Sequence, residues 1–307
     1  LNLRELYTAY AAGHLTKADY IAQAFERHRS LFEYVDRLPE TAISRIEICD
    51  DGVVLTARDT GFRLHIDRHD ARIIPLEALN FGAYENDETA MCRRLVAPGA
   101  LILDIGANIG WTALHFATCA PDTRVWCFEP IPGTRAHLER NLALNGIANV
   151  TVCPFGLADK AGELTFYCYK EGFGNASLAN VSGRDSVEEV VCSVRRLDEV
   201  VLEHGLTPSF LKVDVEGAEL FVLRGALQTL RRHTPVVFAE MLRKWAATFD
   251  YHPNEIIDLL DSLGYAAFTI DGAGLRPFAR MDENTRETNF LFLHRERHTQ
   301  TIQELVR

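Results

Sequence analysis

No stretch of the chain approaches the ~20 consecutive apolar residues of a membrane-spanning helix. The opening Leu1-Asn2-Leu3-Arg4-Glu5-Leu6 also lacks the charged-then-apolar design of a signal peptide. Basic excess is missing as well. The net charge is −11 and no run of Lys and Arg offers a local exception, which argues against nucleic acid as the main partner. Seven cysteines are scattered without a C-x-x-C pair. An odd number in apolar surroundings reads as reduced core thiols, not as a disulfide framework or a zinc site. There is no internal repeat and no low-complexity tract. These absences set the expectation of a cytoplasmic protein without membrane or nucleic-acid partners. The first residue is Leu and not Met, so the native start is expected upstream.

What is present is enough apolar sequence for one sizeable core with an appended subdomain: 307 residues, 47% apolar and 24% charged. The pattern turns on residues 101–111. Leu101-Ile102-Leu103-Asp104-Ile105 reads as a buried strand, and Gly106-Ala107-Asn108-Ile109-Gly110 as a tight turn opening onto a helix. Gly106 and Gly110 leave no side chain between backbone and ligand. Strand, glycine turn and helix make the first unit of a nucleotide- or nucleoside-binding sheet. The turn is D-x-G-x-N-x-G, without the third glycine of a dinucleotide fingerprint. An acid at its start suits a ligand carrying an ammonium or sulfonium group better than a pyrophosphate.

From residue 101 strands and helices alternate, which calls for an α/β fold with a parallel sheet covered on both faces. Strands are read at 101–105, 124–128, 149–153, 210–214, 235–240, 265–270 and 289–293. Between 160 and 196 the alternation breaks into two extra strands joined by a Gly/Asn/Ser-rich loop, Glu171 to Asp185, either a mobile lid or a plain surface loop. Residues 1–38 carry two helices separated by Gly13 and Thr16, and 43–67 alternate as small antiparallel strands. The two helices are expected to pack on the core or on a second copy of the chain in a homodimer. A cap over the substrate entrance is their sharper role.

Three motifs carry a resemblance. Asp104-Ile105-Gly106-Ala107-Asn108-Ile109-Gly110 resembles the S-adenosylmethionine loop of class I methyltransferases. With Phe128-Glu129-Pro130 and Leu211-Lys212-Val213-Asp214-Val215-Glu216-Gly217-Ala218-Glu219, the chain from about Phe81 to His294 is similar to the FkbM family in particular. The resemblance implies a Rossmann-like class I methyltransferase with a seven-stranded, mostly parallel sheet in the order 3-2-1-4-5-7-6, its last strand antiparallel. On that reading 1–80 form an N-terminal helical and β-hairpin extension. Residues 81–298 form the catalytic domain with a β-insert at about 160–196, and 299–307 a tail. The resemblance further implies transfer of a methyl group from S-adenosylmethionine to a hydroxyl of a small molecule, such as a sugar or polyketide in natural product biosynthesis, leaving S-adenosylhomocysteine. It also implies that Tyr84 and Glu85 lie beside the cofactor; a helix-start carboxylate is the plain alternative for Glu85.

The individual residues can be given roles. Asp104 is expected to orient the glycine turn or accept from the methionyl amine, and Asn108 to satisfy the loop or touch the ligand. Glu129 ends the second strand, where a carboxylate can grip both ribose hydroxyls, and Pro130 stops that strand. Gly156 and Leu157 follow the third strand, at the adenine edge. Lys212 and Asp214 share one strand face near the carboxyl end of the fourth strand, where open α/β sheets bind ligands, and Glu216 opens the next helix. Asp214, Glu216 or Glu240 could supply the base that an aliphatic hydroxyl needs, with Lys212 beside them. His252 is a further candidate in the loop after the fifth strand. Asp214 and Glu240, on neighbouring strand ends, could instead hold Mg²⁺, although two acids do not make a metal site. Trp245, Phe249 and Tyr251 could line an acceptor pocket or form a buried helix face. An N or carboxylate acceptor, or a non-catalytic nucleoside-binding partner protein, remain the alternative readings.

Overall fold

The computed structural model describes residues 1–70, 73–169, 172–177 and 187–306. Three short strands come first, β1 (Ile43–Cys49), β2 (Gly52–Ala57) and β3 (Arg63–Ile66), forming an antiparallel sheet in that order. The central sheet then takes β4 (Leu101–Ile105), β5 (Arg124–Phe128) and β6 (Val150–Cys153). A side sheet is built from β7 (Gly156–Leu157), β8 (Gly162–Tyr169), β9 (Gly172–Ser177) and β10 (Val187–Arg195). The chain returns to the centre with β11 (Phe210–Val213), β12 (Val236–Glu240), β13 (Tyr265–Asp271), β14 (Gly274–Phe278) and β15 (Asn289–His294).

The central sheet runs β6-β5-β4-β11-β12-β15-β13-β14. The order expected for seven strands is present, with β15 antiparallel to both its neighbours. The count differs, because β14 adds an eighth strand at the edge. After the turn at Gly272 (φ 56°) the chain doubles back on β13 and buries Leu275. Five residues flanked by polar sequence are too short to announce a strand without that partner.

Period-2 alternation distributes the core. Leu101, Leu103 and Ile105 of β4 pack into one apolar cluster, with Leu211 and Val213 of β11. Ile102 and Phe210 belong to the cluster on the other face. Asp104 and Lys212, cross-strand partners in register, therefore point to that second face, beneath the sheet's carboxyl edge. All seven cysteines are free, and five are buried.

The N-terminal segment is tied to the central sheet through polar clamps. The Asn141 side chain accepts from the His65 N–H and donates to the Ile109 carbonyl, both at 2.9 Å, so β3 braces the turn after β4. Asn145, the C-cap of the helix Pro132–Leu144, also accepts from the Arg63 N–H at 2.9 Å. Helix Leu3–Ala11 begins at an Asn2–Glu5 capping box, and helix Lys17–Arg37 at a Thr16 cap. They leave Tyr7, Ile21, Phe25, Phe32 and Val35 exposed. The expected tail is instead a helix, Thr299–Leu305, whose Leu305 is buried under the sheet edge. Of the loop expected from Glu171 to Asp185, residues 172–177 form β9, and the remainder lies outside the described residues. Among the described residues no helix is long and apolar enough to cross a membrane.

Candidate functional site

β4 delivers the chain into the turn at Gly106, which passes against the end of β11. A Cβ on Gly106 would run into the Asp214 carbonyl, and its φ of 78° disfavours any side chain. Asn108 (φ 50°) follows in the left-handed region, which Asn tolerates better than most residues. Its N–H donates to Glu129 Oε2 at 3.0 Å, while Oε1 of the same carboxylate accepts from the Ile131 N–H at 3.0 Å. Each oxygen of Glu129 is thus pinned by one backbone donor and retains a further lone pair. Burial pushes the Glu129 carboxyl up to about 7, against the pull of those two N–H groups and of Arg135 and Lys212.

Around this carboxylate opens a cleft of about 690 Å³, mouth included. Gly106, Asn108, Glu129, Pro130, Gly156, Leu157 and Asp214 all line it, as does Glu216. Ile131, Thr134, Phe166, Val215 and Ala218 complete the wall and were not foreseen. Phe166 comes from the side sheet, whose core includes Ile131, so the insert closes one flank of the cleft.

A second cavity, about 770 Å³ with its mouth, shares Asn108, Asp214 and Glu216 with the first. Its own walls are Ile73, Ile74, Glu77, Tyr84, Glu85, Glu240 and Trp245. Glu85 therefore faces this cavity and does not line the cleft. It starts the helix Asn86–Leu95 in a left-handed conformation (φ 45°, ψ 42°). Burial pushes it up to about 7, aided by the Asp214 and Glu88 charges and opposed by Lys212 and by a hydrogen bond from Asn289. Residues 73–77 and Asn289 carried no sequence signal. They reach the site only through tertiary packing.

Several expected site residues lie elsewhere. Lys212 lines neither cavity. It is buried, with Nζ 3.0 Å from Asp214 Oδ2, 3.6 Å from Asp104 Oδ1 and donating to the Gly106 carbonyl at 3.2 Å. Burial works against its charge, but Asp214 and Asp104 outweigh that and hold its pKa above the usual lysine value. It stays an ammonium and cannot act as a base. Asp104 is wholly buried and lines neither cavity, so it contacts the turn's carbonyl anchor through Lys212 and not a ligand. Gly110 is likewise outside both cavities, capping the helix Trp111–Ala117 with φ 90°. His252 is exposed, and its Nδ1 accepts from the Asn254 N–H at 3.1 Å at the start of the helix Asn254–Ser262.

Glu240 does lie at the site, hydrogen-bonded to Asp214. Burial, then the charges of Asp214, Glu216 and Glu85, raise its pKa well above the usual carboxyl value and favour its protonated form. Among the described residues no three His, Cys, Asp or Glu side chains converge to hold a metal ion.

The loop after β11 is locked by a buried network. Glu219 Oε1 accepts from the Val215 and Gly217 N–H groups at 3.1 and 3.0 Å, and the Tyr251 hydroxyl donates to the Gly217 carbonyl at 2.9 Å. Trp245 and Phe249 crowd Gly217 so closely that a Cβ would meet both at 3.0 Å or less. Of the three aromatic residues, only Trp245 reaches the second cavity; Tyr251 braces the loop.

An open, mostly parallel sheet, with a glycine turn and a strand-end carboxylate around a cleft at its carboxyl edge, defines a Rossmann-like nucleoside-binding protein. The chain belongs to the family of the methyltransferase FkbM domain, whose sequence profile matches residues 104–267, more than half of it. It is 35% identical over 167 residues to the AMB antimetabolite synthetase AmbE of Pseudomonas aeruginosa, covering 43% of this chain and 8% of that one. It is 31% identical to the 31-O-demethyl-FK506 methyltransferase FkbM of Streptomyces tacrolimicus, over 42% of this chain and 60% of the relative. The 2-O-methyltransferase NoeI of Sinorhizobium fredii is 28% identical, over 56% and 76%. The chain thus spans a small part of AmbE and about three fifths of the FK506 methyltransferase.

Proposed function

We propose that this protein transfers the methyl group of S-adenosylmethionine to a hydroxyl of a small molecule, such as a sugar or polyketide. The observation that carries the reading is the pair of cavities meeting at Asn108, Asp214 and Glu216, one suited to a nucleoside and the other to an acceptor. The names of the FK506 and 2-O relatives favour oxygen over nitrogen as the methylated atom. A net charge of −11 favours a small acceptor over nucleic acid.

The residues present fit the cofactor. Glu129 retains lone pairs for both ribose hydroxyls, and the apolar Leu157, Ile131 and Phe166 beside it suit a base ring. Asp214 and Asn108 stand where the methionyl end would reach the border of the two cavities. When bound, the sulfonium supplies a methyl group with its leaving group already built in. The protein's task is then to align the acceptor oxygen, exclude water and remove one proton.

For the proton, the carboxyls are unequal. Glu240 keeps its own, and Asp214 is engaged by Lys212 and Glu240. Glu85 faces the acceptor cavity, titrates near neutrality and is oriented by Asn289, so it is the base in this reading. Glu216, at the border of the two cavities, helps to position the acceptor.

Calorimetric titration with S-adenosylhomocysteine tests the cofactor half: micromolar binding is expected, lost in Glu129→Ala. Transfer of labelled methyl groups to a panel of hydroxylated acceptors, with and without Mg²⁺, tests the rest. Absence of S-adenosylhomocysteine binding would overturn the proposal; binding without transfer to any acceptor would favour a non-catalytic partner protein.

A further inference from the structure

The opposite edge of the central sheet holds a cavity for which methyl transfer has no use. Its volume is about 960 Å³ with its mouth. It opens between the end of the helix Asn86–Leu95, the segments leading into β11 and β12, and the C-terminal helix Thr299–Leu305.

Its polar lining consists mainly of hydrogen-bond donors. Arg94, Arg297, His233, His298 and Thr234 line it, as does Ser209, whose hydroxyl donates to the Leu101 carbonyl at 3.3 Å. Neither guanidinium pairs with a carboxylate among the described residues; Arg94 donates to the Ala273 carbonyl at 2.9 Å. The lining carboxylate, Glu304, already accepts from Gln300 Nε2 at 2.8 Å. His298 Nδ1 accepts from the His294 N–H at 2.9 Å, which leaves the neutral ring's proton on Nε2, again a donor.

The electrostatics agree with this inventory. Burial, then His294 and Arg297, hold His298 down at about 4. Burial and Arg232 lower His233 too. Burial is the leading cause of both shifts, and the neighbouring cations add to it. In a protein of net charge −11 such a cationic hollow runs against the overall field.

We propose that this cavity binds a small anionic ligand, one bearing phosphate or carboxylate groups, at the amino-terminal edge of the sheet and apart from the methyl-transfer site. Two guanidiniums with imidazole and hydroxyl groups in one lining supply donor types that oxyanions take. Ser209 immediately precedes β11 and Thr234 lies two residues before β12, strands whose far ends lead to Asp214 and carry Glu240. A ligand here would brace the same two strands that the reaction site depends on, and binding would raise the thermal midpoint. The inference does not depend on the methyl-transfer reading.

The test is calorimetric titration of the full chain with inorganic phosphate and, separately, citrate, each against potassium chloride of matched ionic strength. Saturable binding of at least one probe is expected, and the stronger probe tells phosphate from carboxylate chemistry. An Arg94→Gln/Arg297→Gln variant should weaken it tenfold or more, with its ligand-free thermal midpoint near that of the parent. Arg124→Gln, on β5 and away from the cavity, should bind like the parent. No saturable heat with either probe, or equal binding by the double variant, would overturn the proposal. Should the double variant fold poorly, Thr301→Trp, placed to obstruct the cavity, must abolish the signal; undiminished binding there refutes it equally.

Discussion

Lys212 Nζ lies 3.0 Å from Asp214 Oδ2, two residues along the same chain segment, and both belong to a buried charge cluster completed by Asp104. One cation thus serves two carboxylates and the Gly106 carbonyl. Removing a single partner from a buried ion pair costs about 3–5 kcal/mol, because the remaining charges stay desolvated. Lys212→Met is expected to lose stability on that scale in urea unfolding. Adding Asp104→Asn should restore part of the loss, since it removes one of the stranded charges. A single variant as stable as the parent would contradict the cluster.

Gly106 is constrained twice, by its positive φ and by the Asp214 carbonyl. Gly106→Ala must push the turn away from β11, and the turn carries Asn108 into both cavities. Affinity for S-adenosylhomocysteine should fall at least tenfold by calorimetry. Gly146→Ala, at a left-handed position with open space around it, should leave that affinity unchanged.

Glu129 offers two acceptors to the cleft, and hydrogen bonds to a charged group contribute about 1.5–3 kcal/mol each. Glu129→Ala is expected to weaken S-adenosylhomocysteine binding by about a hundredfold or more. Glu129→Gln, which keeps one acceptor oxygen, should fall between that variant and the parent. Equal affinity in all three would remove Glu129 from the cofactor site.

Glu85 supplies a pH signature. Its carboxyl, raised to about 7 by burial and by Asp214, must be ionised to take a proton. Turnover is therefore expected to climb as pH rises through about 7 and to level off above it. Glu85→Gln should remove that limb and lower kcat by about 10²–10⁴-fold, the usual scale of general-base catalysis. Asn289→Ala withdraws the hydrogen bond that favours the charged form, so the limb should move to higher pH. S-adenosylhomocysteine affinity, read in parallel, should stay near the parent value in both variants.

Raised carboxyls also affect folding. For Glu219 the folded value is about 7, above the ordinary carboxyl value. Its contribution is therefore greatest in acid and is lost as pH climbs from about 4.5 through 7. Glu219→Gln should flatten the decline of the thermal midpoint between pH 5 and 8. An unchanged slope would mean that the carboxyl is ionised throughout that range.

Some of this was legible because its causes are local. A turn that needs positive φ demands Gly106, a strand buried on both faces must be largely apolar, as 101–105 is apart from Asp104, and a carboxylate ending β5 is placed by the strand itself. The alternation of strands and helices also implied a parallel sheet covered on both faces, while the strand order was implied by the resemblance to class I methyltransferases. Other features depend on what packs against what. Asp104 and Lys212 looked like ligand groups because acids and lysines in strands need partners; packing decided that they would partner each other below the cavity floor. Ile73, Glu77 and Asn289 are distant in sequence from the motifs and reach the site through the folding of other segments. Glu240 and Glu85 are both acids by sequence, yet their unlike proton affinities arise from how deeply each is buried and which charges surround it. Residue type and spacing determined the frame, since backbone conformation and side-chain alternation act over a few residues. The protonation states and the acceptor wall were decided by the tertiary structure, because desolvation and Coulomb interactions depend on distance through space and not along the chain.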